Sequence, residues 1–236
     1  MERRSKSRFV NFTVNQTLLK MEAVALKLPI TFAEREDAPE ILRVEATWEE
    51  YLELAEILPY HIDYLNGEII SMSQATDIHE QLIIQLGALL VQLYDDLPDY
   101  QTHRVLGSSV KICVKEAEAE FNADLSVVKG PSDYVTLPSG RVSKVRITNP
   151  VIIVEVLSKS TKAYDQSDKL DQYRLLPSLQ HILFVSQEDV FARVYSRTTQ
   201  PNQWVDVDYR SIDDSIVLNG LELPLRTIYR RTPLTT

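Results

Sequence analysis

The strongest hydrophobic signal in the chain is the run Val151-Ile152-Ile153-Val154-Glu155-Val156-Leu157, set between Pro150 and the polar turn Ser158-Lys159-Ser160-Thr161. A short, almost continuous β-branched run predicts a strand buried on both faces. On either side of it the pattern switches between helical and extended periods. Thr47-Trp48-Glu49-Glu50 has the form of a capping box and predicts a helix reaching about Leu58, where Pro59 ends it. Asn66-Gly67 between two short extended runs predicts a hairpin over 61–72. Ile78, Leu82, Leu86, Leu89, Leu90 and Leu93 recur at three- and four-residue spacing and predict a helix over 76–94. Strands are predicted at about 101–106, 109–114, 123–128 and 146–157, the last on either side of Pro150, with a loop over 130–144. A second helix is predicted from about Ala163 to Leu176, then strands at 180–186, 190–197, 203–208 and 216–229.

Helices and strands interleaved around one buried strand predict an α/β domain with a mixed sheet. The first 45 residues lack a sustained period, and Pro29, Pro39 and Glu34-Arg35-Glu36-Asp37 interrupt any long helix. They are expected to form a partly flexible N-terminal extension with a short element around Leu18–Leu28, leaving 46–236 as the folded domain. Composition changes this picture little: 44% hydrophobic and 25% charged residues suit a folded soluble chain.

Charge narrows the function classes. The net charge of -9 argues against a surface coated in positive charge for non-specific nucleic-acid binding, while leaving room for a local basic groove. The cluster Arg3, Arg4, Lys6 and Arg8 reads as a solvated tail, the alternative being a tail that touches nucleic acid. A single cysteine, Cys113, excludes an intrachain disulfide and a cysteine-based zinc site, and a reducing cytoplasm is the expected location. No apolar run approaches the roughly 18 residues of a membrane span. The six glycines form no nucleotide-binding loop.

The chemistry begins with Glu155. An ionised carboxylate inside such a strand costs several kcal/mol, roughly, unless it is paired or bound to metal. Asp124, in Asn122-Ala123-Asp124-Leu125-Ser126-Val127-Val128, puts a second carboxylate in a second apolar strand. Two carboxylates on neighbouring strands make a hard oxygen site suited to Mg²⁺ or Mn²⁺; each could instead cap a turn or pair with a buried base. In the following helix Asp165, Lys169 and Tyr173 share one face by four-residue spacing. Lys169 either returns to the strand's end or forms an ordinary surface pair with Asp165. Glu68, opening the strand after the hairpin, and His79, in the first turn of the long helix, are secondary candidates, as is Tyr173. No nucleophile elbow surrounds any serine, which disfavours covalent catalysis.

These residues carry a resemblance. Asp124, the segment Val-Glu-Val-Leu-Ser-Lys-Ser-Thr around Glu155, the series Asp165, Lys169, Tyr173 and the run Ile182-Leu183-Phe184-Val185 resemble the Uma family of restriction endonucleases, placed in the PD-(D/E)XK nuclease superfamily. Tyr64 to Ser73 and His79 resemble its opening hairpin and helix, so the likeness spans about 46–210. It implies a restriction-endonuclease-like mixed sheet flanked by helices, with additional antiparallel strands. It also implies metal-dependent hydrolysis of DNA phosphodiester bonds, with Asp124, Glu155 and the Val156 carbonyl holding Mg²⁺ or Mn²⁺, and Lys169 as the catalytic base or water-orienting cation. Glu68 and His79 would assist, and a homodimer is expected by analogy. Two departures stand out. Ala123 precedes Asp124 where the family usually has proline, and Leu157 occupies the position of the superfamily lysine, which the family supplies from the following helix at the place of Lys169. The alternative is a catalytically inactive nuclease-fold module that binds DNA or protein.

Overall fold

The computed structural model describes Val24 and residues 27–235, which divide into two compact units, residues 1–74 and 75–236. The basic cluster at residues 3–8 and most of the element expected around Leu18–Leu28 lie outside the described residues.

In the first unit, helix α1 (Phe32–Glu36) is closed by a capping box between Thr31 and Glu34. Strand β1 (Ile41–Glu45) follows, then α2 (Trp48–Ile57), which starts at the capping box read from the sequence, with Thr47 and Glu50 bonded reciprocally. Strands β2 (Ile62–Leu65) and β3 (Glu68–Met72) form the expected hairpin. Asn66 and Gly67 take φ of 53° and 81°, the left-handed pair that a two-residue turn matched to strand twist requires. β1 pairs antiparallel with β3, which ties residues 41–45 to the hairpin. The compact unit runs on to Gln74. Arg35 is fully buried and satisfied by Ser71 and the carbonyls of Pro39, Glu40 and Ser71. Trp48, Tyr51 and Tyr64 cluster with ring centroids 5.1–5.3 Å apart, Tyr51 stacked on both neighbours and Trp48 tilted against Tyr64.

The second unit opens with α3 (Asp77–Asp95), capped by Thr76, whose hydroxyl accepts from the His79 amide. The strands that follow are β4 (His103–Gly107), β5 (Lys111–Val114), β6 (Ala119–Phe121), β7 (Leu125–Lys129), β8 (Tyr134–Thr136), β9 (Val142–Ile147) and β10 (Pro150–Leu157). Next comes a helical stretch in three pieces: α4 (Lys162–Tyr164), a π-helical turn (Asp165–Lys169) and α5 (Leu170–Tyr173). Strands β11 (His181–Ser186), β12 (Ala192–Arg197), β13 (Trp204–Tyr209), β14 (Ser215–Leu218) and β15 (Leu221–Pro224) and helix α6 (Leu225–Ile228) complete it. The main sheet runs β13-β12-β11-β10-β7-β4. It is mixed: β10 pairs parallel with β11 and antiparallel with β7. A second group of strands is ordered β6-β5-β9-β8.

β10 is the interior strand that the apolar run predicted, and strand alternation divides its side chains between two environments. Ile152, Val154 and Val156 pack in the core with Leu82, Leu86 and Leu90 of α3. Ile153, Glu155 and Leu157 therefore point to the opposite face. Three local expectations differ from the structure. The 130–144 loop contains β8 and the start of β9, which meet around a turn at Gly140 (φ 80°). The strand expected over 146–157 is two strands, broken where the Asn149 side chain bonds to Asp133 and Pro131 and the proline at 150 has no amide hydrogen to donate. The strand expected over 216–229 is the β14–β15 hairpin plus α6, turned by Asn219 and Gly220 at φ 52° and 82°.

Candidate active site

The site forms at the C-terminal end of β10, where β7 has not yet begun to pair. Asp124 lies one residue before β7 and turns its carboxylate onto β10. Its Oδ2 accepts from the Val156 amide at 2.7 Å, a short charge-assisted bond. Glu155 Oε2 sits 3.4 Å from the Asp124 amide nitrogen, so each strand end holds the other's carboxylate. The Leu157 carbonyl accepts from Gln187 on the β11 side. The preceding peptide points the other way, and the Val156 carbonyl shares the edge of its own amide, facing Asp124.

Glu155 is 3% exposed. Its Oε1 accepts from the Tyr173 hydroxyl at 2.6 Å and lies 3.3 Å from Lys169 Nζ. Lys169, 2% exposed, also lies 3.3 Å from Asp165 Oδ1. The i,i+4 pair between Asp165 and Lys169 therefore exists, but as a buried pair directed at the strand instead of a solvated one. Burial pushes the Glu155 carboxyl well above its ordinary range, against the opposing charge of Lys169. Burial raises Asp165 in the same way.

The π turn explains how three residues of one helix converge. In a continuous α-helix, at about 100° per residue, residues 165, 169 and 173 drift by roughly 40° per step. A π turn advances less per residue, roughly 80°, which cancels most of that drift between 165 and 173. Asp165 is thereby kept on the side of Lys169 and of Tyr173, which packs edge-on against Phe121 at 5.3 Å, and the latter two, one α-helical step apart, both reach Glu155.

His79 Nε2 stands 3.2 Å from Asp124 Oδ1, so the first turn of α3 also reaches the site. Burial works against a charged imidazole there, but the bond to Asp124 and the surrounding carboxylates outweigh it and raise the His79 pKa. Glu68 lies in the first unit, where its carboxylate is 3.1 Å from Arg43. The second unit thus gathers Asp124, Glu155, Val156, Lys169, Tyr173 and His79. It adds Asp165, which the sequence pattern offered only as a partner for Lys169; the four-residue series Asp165, Lys169, Tyr173 was the signal.

The donor set suits a hard divalent cation. Glu155 Oε1 is committed to Tyr173 and Lys169, whereas among the described residues Oε2 receives the long contact from Asp124 and keeps lone pairs available. Asp124 and the Val156 carbonyl add further oxygens on the same side. Three buried or half-buried carboxylates face one lysine and one histidine, an excess of negative charge. Among the described residues no three His, Cys, Asp or Glu side chains are grouped to hold a metal ion, so a cation here would depend on the two carboxylates, the carbonyl and water. Also among the described residues, no helix is long and apolar enough to cross a membrane.

The fold is a mixed α/β one shared with a solved structure. It superposes on that structure, described as "a putative nuclease belonging to DUF820 from Anabaena variabilis" with a TM-score of 0.60 and 14% sequence identity, covering 78% of this chain and 97% of that one. The chain belongs to the Uma2 family, described as "Putative restriction endonuclease", whose model matches residues 48–226. Two Synechocystis sp. proteins, both uncharacterized, are similar. Slr1290 is 30% identical over 77% of this chain and 90% of its own length, and sll1609 is 29% identical over 58% and 73%.

Proposed function

We propose that the protein is a Mg²⁺- or Mn²⁺-dependent endonuclease that hydrolyses DNA phosphodiester bonds. The observation that carries this reading is Lys169: its buried ammonium lies 3.3 Å from Glu155 and serves the strand face where Leu157 stands in place of a lysine. Asp124, Glu155 Oε2 and the Val156 carbonyl would hold the cation. When bound, it lowers the pKa of a water and neutralises charge on the phosphate. Lys169 orients the attacking water and offers its N–H groups to charge developing on the phosphoryl oxygens. Tyr173 fixes the Glu155 rotamer and leaves Oε2 free. His79 fixes Asp124. Cutting both strands calls for two such sites, and a homodimer, testable by sedimentation, would supply them.

The purified protein should nick supercoiled DNA in Mg²⁺ or Mn²⁺ and be inactive in chelator. Glu155→Ala and Asp124→Ala should each remove the activity. Cleavage that survives both substitutions would overturn the mechanism. A folded wild-type protein that binds DNA without cutting it would favour the inactive-module alternative.

A further inference from the structure

The proposed hydrolysis makes no use of Asp165, yet this carboxylate is 3% exposed. Removing a carboxylate from water without function is costly, several kcal/mol in ordinary proteins. Its surroundings are built to keep it. The Thr161 hydroxyl bonds to it, and Lys169 Nζ is 3.3 Å from its Oδ1. The backbone supports the same geometry, because the π-helical turn begins at Asp165 and ends at Lys169. The face of the Tyr164 ring lies 5.4 Å from the same ammonium.

We propose that Asp165 is a positioning residue that holds Lys169 at its working place, an inference resting on the nuclease reading above. A lysine side chain has four rotatable bonds, and without Asp165 the carboxylate holding the ammonium toward the strand is Glu155. That anchor is already divided, since Glu155 Oε1 also accepts from Tyr173. Sharing Glu155's charge with a divalent cation weakens its hold on the ammonium further. Asp165 keeps its hold, because it lies on the helix that carries the lysine and bonds neither to Asp124 nor to Val156. The π turn and Asp165 together do for Lys169 what the rigid strand would do for a lysine at position 157. A lysine from a helix needs such a second anchor; one from the strand would not.

The test is Asp165→Asn, which keeps the shape and the Thr161 bond and removes the charge. Two quantities are measured: steady-state cleavage, and the rate at which an amine-reactive acylating reagent labels Lys169, read by peptide mass spectrometry without cation or DNA. The expected result is a kcat lower by roughly 10- to 100-fold with KM within about twofold, the pattern of a misplaced group that acts in the transition state. Lys169 labelling should become severalfold faster, since the ammonium loses the restraint that Asp165 provides. Wild-type kcat together with wild-type labelling would overturn the proposal, whatever the melting temperature. If Asp165→Asn does not fold, Thr161→Val, at a half-exposed position, takes its place and should move both quantities the same way by less. If the wild type cuts no DNA, the nuclease reading fails while the labelling rates still decide whether Asp165 restrains the lysine.

Discussion

Glu155 is placed where its charge is least tolerated and best supplied with partners, and the pH dependence of stability should report this. Burial raises Glu155 and Asp165, and Asp124 raises His79 in spite of burial. All three groups bind protons more tightly in the folded protein than in the unfolded chain. For His79 the stabilisation is complete below its unfolded value and is lost as pH rises through the folded one. For the two carboxylates the folded state is penalised increasingly as pH rises above the ordinary carboxylate range. The signs agree, so the melting temperature in chelator should fall steadily from about pH 5 to about pH 8. Asp208, held down to about 2 by Arg193, acts in the opposite sense only at more acidic pH, whereas His181, lowered by burial, offsets part of the fall inside this window. A melting temperature that is flat or rising over that window would contradict the buried-carboxylate account. Tyr173 offers a cleaner single change. Tyr173→Phe removes the 2.6 Å bond to Glu155 and keeps the ring against Phe121. Loss of such an outer partner should lower cation affinity or cleavage about 10-fold or more. Cleavage and cation titration at wild-type levels would show that Glu155 needs no help from the hydroxyl.

Elements were legible wherever one side-chain period dominated. The capping box at Thr47, the leucine spacing of α3 and the Asn66-Gly67 turn all appear where the sequence placed them. The turn gives a direct check. Gly67 has φ of 81° and open space where a Cβ would go, so Gly67→Ala should cost only backbone strain, about 1–2 kcal/mol, in urea unfolding. No measurable loss would mean that the turn relaxes to another form. A second Asn-Gly pair, Asn219-Gly220, carries the same signal inside an apolar stretch whose hydrophobic pattern is that of one long strand, and there the turn chemistry prevails over the pattern. β8 and β9 were obscured for a different reason. Val142 and Val145 are exposed and the burial of β9 does not alternate, so no period of two marks it. In the site, Asp124 and Glu155 were readable because charges inside apolar strands are anomalous. Asp165 was not, because an Asp–Lys pair four residues apart looks the same whether it is solvated or buried. The π turn, which decides that question, leaves no mark in side-chain periodicity.

Across the whole molecule, 34 acidic residues outnumber 25 basic ones, and the candidate site sharpens that imbalance. Once the site's carboxyls are ionised, a phosphate approaching Asp124, Glu155 and Asp165 meets repulsion that Lys169 and His79 do not fully offset. A divalent cation reverses the local sign, so cation and DNA should bind cooperatively, each tightening the other by the same factor. Ca²⁺ is a useful probe because it accepts carboxylate and carbonyl oxygens but adopts looser geometry than Mg²⁺. With a labelled duplex and fluorescence anisotropy, Ca²⁺ should tighten binding by about tenfold or more relative to chelator. Asp124→Asn should erase that difference. In chelator the same variant should bind DNA at least as well as wild type, because it removes a repelling charge and supplies no new attraction. This last sign distinguishes a cation-bridged site from a binding surface elsewhere on the molecule: DNA held at a remote basic patch would bind equally with and without Ca²⁺ and would not respond to Asp124 at all.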